Sequence, residues 1–202
     1  MLNSIRYNLA NLTNLEGRDA RQTFWYYVLI VVVIQYAIAM IAAIPMYVSM
    51  FGGMFEAIAN NPQDAEAGAR AIEGMIDDIL EQVKMQVAVA TVAGLISTAL
   101  LAASFVRRLH DAGFTGWIAL LPIGFYIVSL IYNVVMLDQM GEMMTEAMTA
   151  GMNDPNANPF AMQAEMGLMG LFGWIAPLIG IVFGAWPSTD GPNEYGEKSV
   201  SF

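Results

Sequence analysis

Four uninterrupted stretches of this chain, 22–55, 85–106, 112–137 and 166–189, contain no Asp, Glu, Lys or Arg. A helix needs about 20 apolar residues, at 1.5 Å rise each, to cross a hydrocarbon core of roughly 30 Å. Each stretch meets that length. Of the 202 residues, 57% are apolar and 13% charged, which leaves too little polar sequence for a separate water-soluble domain. The expected fold is all-α: an integral membrane four-helix bundle, one domain over 1–202, with spans near 24–51, 85–106, 114–137 and 166–186. The first apolar run is far longer than the core of a cleavable signal peptide and is expected to be retained.

The charges between the spans are distributed unevenly. The pieces at 1–21, 107–111 and 190–202 hold Arg6, Arg18, Arg21, Arg107, Arg108 and Lys198 against six acids, and sum to zero. The pieces at 56–84 and 138–165 hold only Arg70 and Lys84 against twelve acids, and carry the whole net charge of −10. Basic residues flanking spans are retained on the cytoplasmic side. Both termini and the 107–111 loop are therefore expected in the cytoplasm (N-in, C-in), and the acidic loops outside. Trp25, Tyr26, Tyr27, Trp117 and Trp186 fall near the same ends of their spans, at the level amphipathic rings favour.

The acidic loops, 52–84 and 138–165, carry helical patterns. After Asn61-Pro62, a helix-start signal, Ile72, Met75, Ile76, Ile79, Leu80 and Val83 recur every three or four residues. They predict an amphipathic helix running straight into the second span. Met136, Met140, Met143, Met144 and Met148 continue the helical period beyond the third. The Asn- and Pro-rich 153–159 predicts a turn, after which 160–165 leads into the fourth span. Leu2, Ile5, Leu9 and Leu12 predict a short helix lying in the membrane interface.

Packing is expected along small residues, because lipid supplies no hydrophobic drive between helices. The second span is rich in small residues, chiefly alanines from Ala88 to Ala103 with Gly94 and Ser97 among them, and the fourth places Ala176, Gly180 and Gly184 at four-residue spacing. Pro45, Pro122 and Pro177 are expected to kink spans one, three and four.

Three polar segments share the cytoplasmic face: 16–25, 107–117 and 190–196. Their Arg18, Arg21, Arg107, Arg108, His110, Asp111, Asn193 and Tyr195 form the candidate motif. One reading has ion pairs and hydrogen bonds among them stapling the helix ends, with Gly113 and Gly116 turning the chain. The other has the arginines binding a lipid headgroup or a small anion. His110 is the only histidine, so no histidine pair exists to build a metal site, and no nucleophile or pocket is evident for a His–Asp pair.

Gly17-Arg18-x-x-Arg21-x-x-Phe24-Trp25, Arg107-Arg108-Leu109-His110-Asp111-x-Gly113-x-x-Gly116-Trp117 and Gly191-x-Asn193-x-Tyr195-Gly196 resemble the motifs of domain of unknown function 805. That is a family of small bacterial inner-membrane proteins. The resemblance runs from the N-terminal lead-in through the four spans to the C-terminal motif, and marks the acidic loops as insertions. It implies the fold and a bacterial inner (plasma) membrane, and no established activity.

Other chemistry is sparse. Nine of the 16 methionines lie between Met136 and Met169. Thioethers at this spacing suit Cu(I) or Ag(I), but without Cys or a nearby His they read as helix-packing filler. Glu73, Asp77 and Glu81 share a helix face and read as solvated. No acid, Lys, Arg or His lies at membrane depth, where ion-coupled transporters and proton relays need one. Cysteine is absent, which excludes disulfides and thiolate chemistry.

No cofactor, metal or nucleic acid is expected. The partners are the lipid bilayer, with anionic headgroups as candidates, and a protein partner or second copy of the chain. The leading function is a non-enzymatic scaffold, assembly factor or envelope component. The alternatives are a small-solute transporter or channel lined by Gln35, Tyr132 and Asn133, and a headgroup binder or membrane enzyme at the cytoplasmic rim.

Overall fold

A computed structural model describes residues 1–60, 65–153 and 173–199. The regular elements there are helices: α1 (Leu2–Ala10), α2 (Arg21–Asn60), α3 (Ala65–Asp111), α4 (Leu120–Asn153) and α5 (Gly173–Ala185). A single 3-10 turn, Gly116–Ala119, leads into α4. Three segments are long and apolar enough to cross a membrane: Arg21–Gly53, Asp77–Asp111 and Gly116–Leu137. The described part of the fourth stretch, α5, is shorter. Residues 166–172 and the expected turn at 153–159 fall largely outside the described residues, as do the helix start at Asn61-Pro62 and segment 160–165.

The acidic segments continue the apolar helices rather than forming separate elements. α2 runs on to Asn60, α3 begins at Ala65, and α4 extends to Asn153. On α3, Ile79, Leu80 and Val83 are half-buried while Asp77, Asp78, Glu81 and Lys84 are exposed, the division expected of an amphipathic helix. Pro45 lies inside α2. Pro122 does not fall in a helix interior: it occupies the first turn of α4, where a missing N–H has no intrahelical partner to lose. The expected kink in span three therefore has no cause at that residue.

The chain divides into two compact units. One comprises Met1–Tyr36, Val92–Leu130 and Leu168–Phe202, the other Ala37–Thr91 and Ile131–Gly167. Gln35 belongs to the first, Tyr132 and Asn133 to the second. All of the candidate motif belongs to the first.

In the first unit, a buried cluster of Phe24, Phe105, Leu109 and Ala119 is flanked by Trp25, Val28, Val106, Phe114, Ile118 and Phe183. Phe114 meets Phe183 edge-on at 5.2 Å and Trp186 at 5.4 Å. Phe24 meets Trp25 at 5.4 Å. Such pairs each contribute about 0.5–1.5 kcal/mol beyond area burial. At two glycines a side chain has no room. A Cβ on Gly94 would lie 1.7 Å from the Tyr126 hydroxyl, and one on Gly184 would lie 2.6 Å from the Phe24 ring. Around Gly180 there is open space, while Ala176 is buried.

Candidate functional site

α3 ends in a way that its sequence dictates. Gly113 adopts φ +79°, a left-handed conformation that costs glycine little. Its N–H donates to the His110 carbonyl at 3.1 Å, and the Phe114 N–H reaches back to the Leu109 carbonyl at 2.9 Å. This is the Schellman pattern, with Phe114 supplying the accompanying apolar contact. The last turn of α3 is thereby fixed, and Arg107, Arg108 and Asp111 with it. Arg107 and Arg108 are consecutive on a helix, so they point about 100° apart and serve two different clusters.

Arg107 faces α1. Its Nε donates to Asp19 Oδ1 at 3.0 Å, Nη2 to Asn8 Oδ1 at 2.7 Å, and Nη1 to the carbonyls of Asn11, at 2.9 Å, and Asn14. Ser104, one turn back on α3, donates to Asp19 Oδ2 at 2.9 Å, and the Asp19 N–H donates to the Arg107 carbonyl at 3.1 Å. The Tyr7 ring lies beneath the guanidinium, 5.5 Å from centroid to Cζ. Burial raises the Tyr7 pKa, with the nearby Asp19 carboxylate adding to it and Arg107 opposing it.

Arg108 faces α5. Its Nε donates to the Gly184 carbonyl at 3.0 Å, Nη2 to the Trp186 carbonyl, and Nη1 to Asp111 Oδ2. The Gly184 carbonyl also accepts from Trp25 Nε1 at 3.2 Å, so α2, α3 and α5 converge on that glycine. Asp111 in turn binds Arg18 through Oδ1 at 3.1 Å, and accepts from Ser188 Oγ at 2.5 Å and Ser199 Oγ at 2.8 Å. The other guanidinium nitrogens of Arg18 reach the carbonyls of Thr189, Gly191 and Gly196 and the Thr189 hydroxyl, at 2.8–3.3 Å. Gly191 and Gly196 have φ of +74° and +132°, which bends the C-terminal segment so that its carbonyls converge on Arg18.

Neighbouring residues thus divide between two clusters: Asp19 and Arg107 with α1, Arg18 and Arg108 with the C-terminal segment. The paired arginine and aspartate side chains are 0–1% exposed. Three guanidinium groups against two carboxylates leave one positive charge in excess. It is met by carbonyls just beyond the C-termini of α1 (Asn11, Asn14) and at the end of α5 (Gly184, Trp186), where the helix dipole is negative. A buried charge is tolerated only with such complete pairing.

The rest of the motif lies around this centre. Arg21 is exposed at the start of α2 and has no ion pair or hydrogen bond among the described residues. His110 stacks flat on Tyr195, with centroids 3.8 Å apart and planes 2° off parallel, and its Nδ1 is 3.3 Å from the Gly17 carbonyl. Asn193 ties the C-terminal segment to the end of α3, donating to the His110 carbonyl at 2.9 Å and to Thr189 Oγ1 at 3.0 Å. A hydrogen bond from Tyr195 to Glu194 is the main influence raising the Tyr195 pKa. The Asp111 carboxylate is turned to Arg18 and Arg108, so His110 and Asp111 do not form a hydrogen-bonded dyad. Among the described residues, no group of three His, Cys, Asp or Glu side chains is placed to hold a metal ion.

Asp19 is the residue that pattern reading passes over. It reads as one more acid in a mixed-charge segment, yet among the described residues it is the one carboxylate that pairs with Arg107. The alternation of Arg18-Asp19 against Arg107-Arg108 is the signal that could have shown it. Asn8, Ser104, Ser188, Thr189 and Ser199 carry no charge and leave no such trace.

Long apolar helices closed at one end by a buried arginine–aspartate network define a helical protein with segments able to cross a membrane. The family model described as "Protein of unknown function (DUF805)" matches residues 12–197, and the chain belongs to that family. The match covers Arg18, Asp19, the end of α3 and the C-terminal segment; α1 precedes it. No curated protein and no solved structure matches the chain.

Proposed function

We propose that this chain is a multi-pass protein of a bacterial inner membrane, with both termini cytoplasmic, and that it acts as a non-enzymatic scaffold or assembly element. One observation carries the reading: every guanidinium nitrogen of Arg18, Arg107 and Arg108 is engaged by the protein's own acceptors. Groups saturated in this way hold segments together and have little left for a substrate or headgroup. The same saturation weighs against an anion site at these arginines. The basic residues flanking the spans support the orientation, and the absence of charge at membrane depth supports a role without ion coupling.

The test is purification of the intact protein from native membranes in mild detergent, with mass spectrometry of co-purifying proteins and lipids. A scaffold gives a stoichiometric protein partner or a defined homo-oligomer, and that complex persists in the exposed-residue variant Arg21→Gln. A monomer with a tightly retained small molecule, or a lipid lost with Arg21→Gln, overturns the reading.

A further inference from the structure

α1 is inverted. Its buried residues are Ser4 and Asn8, at 0% and 1% exposure, whereas Leu2 and Leu9 are 69% and 50% exposed. At 100° per residue Leu2, Ile5 and Leu9 fall within one arc of about 60°, and Ser4 and Asn8 are centred roughly 110° round the helix from it. A helix packed on a protein in water does the reverse. Asn8 on the polar face is engaged: its Oδ1, with the Asn11 and Asn14 carbonyls just beyond the helix, accepts from Arg107 on the last turn of α3. This clamp fixes α1 beside the end of a helix able to span the membrane, which is the depth of the headgroup layer. The charge on the outward side is one-signed: Arg6 is exposed beside the leucines, and residues 1–15 contain no acid.

We infer that α1 is an interfacial helix that docks on an anionic phospholipid leaflet, with Leu2, Ile5 and Leu9 at the acyl boundary and Arg6 against the phosphates. From the proposed function it takes only that the chain spans a bilayer. The Arg107 clamp keeps α1 beside the leaflet rather than on a loose tail, and its outward face partitions between lipid and water.

The chain has no cysteine, so single-cysteine variants of the full protein report unambiguously. Spin labels are placed at Leu9→Cys, at Glu16→Cys as an exposed polar reference, and at Val33→Cys as an exposed reference within apolar α2. The protein is reconstituted in phosphatidylcholine vesicles with and without about one-third phosphatidylglycerol. The label at position 9 is expected to be severalfold more accessible to oxygen, relative to an aqueous relaxant, than the label at 16, and more so with the anionic lipid. Arg6→Gln, at an exposed site, is expected to reduce the immersed fraction in anionic vesicles about fivefold relative to the aqueous one. A position 9 as wet as 16 while 33 stays immersed overturns the inference. So does a position 9 shielded from both reagents, the result for a second copy packed there, or immersion indifferent to anionic lipid. Water access at position 33 would instead overturn the membrane-spanning reading beneath it.

Discussion

Arg18 and Asp111, 93 positions apart in the sequence, meet in a 3.1 Å ion pair whose side chains are 1% and 0% exposed. Asp111 also holds Arg108, so one carboxylate joins the lead-in to α2, the end of α3 and the C-terminal segment. Asp111→Asn leaves two buried guanidinium groups without their carboxylate. The expected loss is about 3–5 kcal/mol, seen as a large fall in the thermal unfolding midpoint in detergent. Asp190→Asn is the contrast. Its partner Lys198 and Asp190 itself are 59% and 100% exposed, and the expected change is close to zero.

Arg107→Lys keeps the charge and loses the fork. An ammonium cannot reach Asp19, Asn8 and the two asparagine carbonyls together. Each charge-assisted bond left unmade costs about 1.5–3 kcal/mol, so a substantial loss of stability is expected. Limited proteolysis should then show early cleavage in 1–17, as α1 loses its clamp. Arg21→Lys, at an exposed site, should leave both readouts unchanged.

Gly184→Ala and Gly180→Ala separate a packing contact from a mere spacing pattern. The first places a methyl 2.6 Å from the Phe24 ring and 3.0 Å from Trp25. It is expected to cost about 1–3 kcal/mol as α5 is pushed away. The second enters open space and should be neutral or slightly stabilising through helix propensity. Thermal unfolding of the two variants side by side reads the difference.

Truncation before Ser188 leaves every apolar helix intact but removes the Ser188, Thr189, Gly191, Gly196 and Ser199 partners of Arg18, Arg108 and Asp111. The truncated chain is expected to insert and then be degraded, or to aggregate on extraction. Pulse-chase of the tagged protein checks this; a lifetime equal to that of the full chain would contradict it.

Alkaline pH should loosen the α1 clamp. The Tyr7 pKa is raised in the folded state, chiefly by burial. The folded protein therefore holds that proton when the unfolded chain, with a tyrosine pKa of about 10, has begun to lose it. Tyr7 consequently contributes no pH dependence below about pH 9, and stability falls as the pH climbs past 10. Unfolding midpoints between these values should decline less steeply in Tyr7→Phe.

Much of the helical content could be read from the chain because it depends on local properties. Charge-free length and three- to four-residue periodicity are visible in any window, and they foretold α1, the apolar cores of α2, α3 and α4, and the helical extension of α3 toward Ala65. The Gly113 stop was equally legible. Spacing alone was a weaker guide to contact. Ala176, Gly180 and Gly184 repeat identically, yet a Cβ on Gly184 would strike α2 whereas Gly180 faces open space. Which turn of a helix touches a neighbour depends on where that neighbour lies.

The division is clearest at the polar end of the first unit. The sequence by itself determined that Arg18, Arg107, Arg108 and Asp111 would lie at the ends of apolar helices, because charge is excluded from a hydrocarbon core and local hydrophobicity decides which residues enter it. Only the tertiary structure decided that Asp19 would belong to Arg107, that Arg21 would be left outside, and that backbone carbonyls near the ends of α1 and α5 would take up the excess positive charge. Carbonyls are common to every residue and carry no sequence signature. Whether they can replace a carboxylate depends on the direction in which a helix end points, which exists only once the helices have packed.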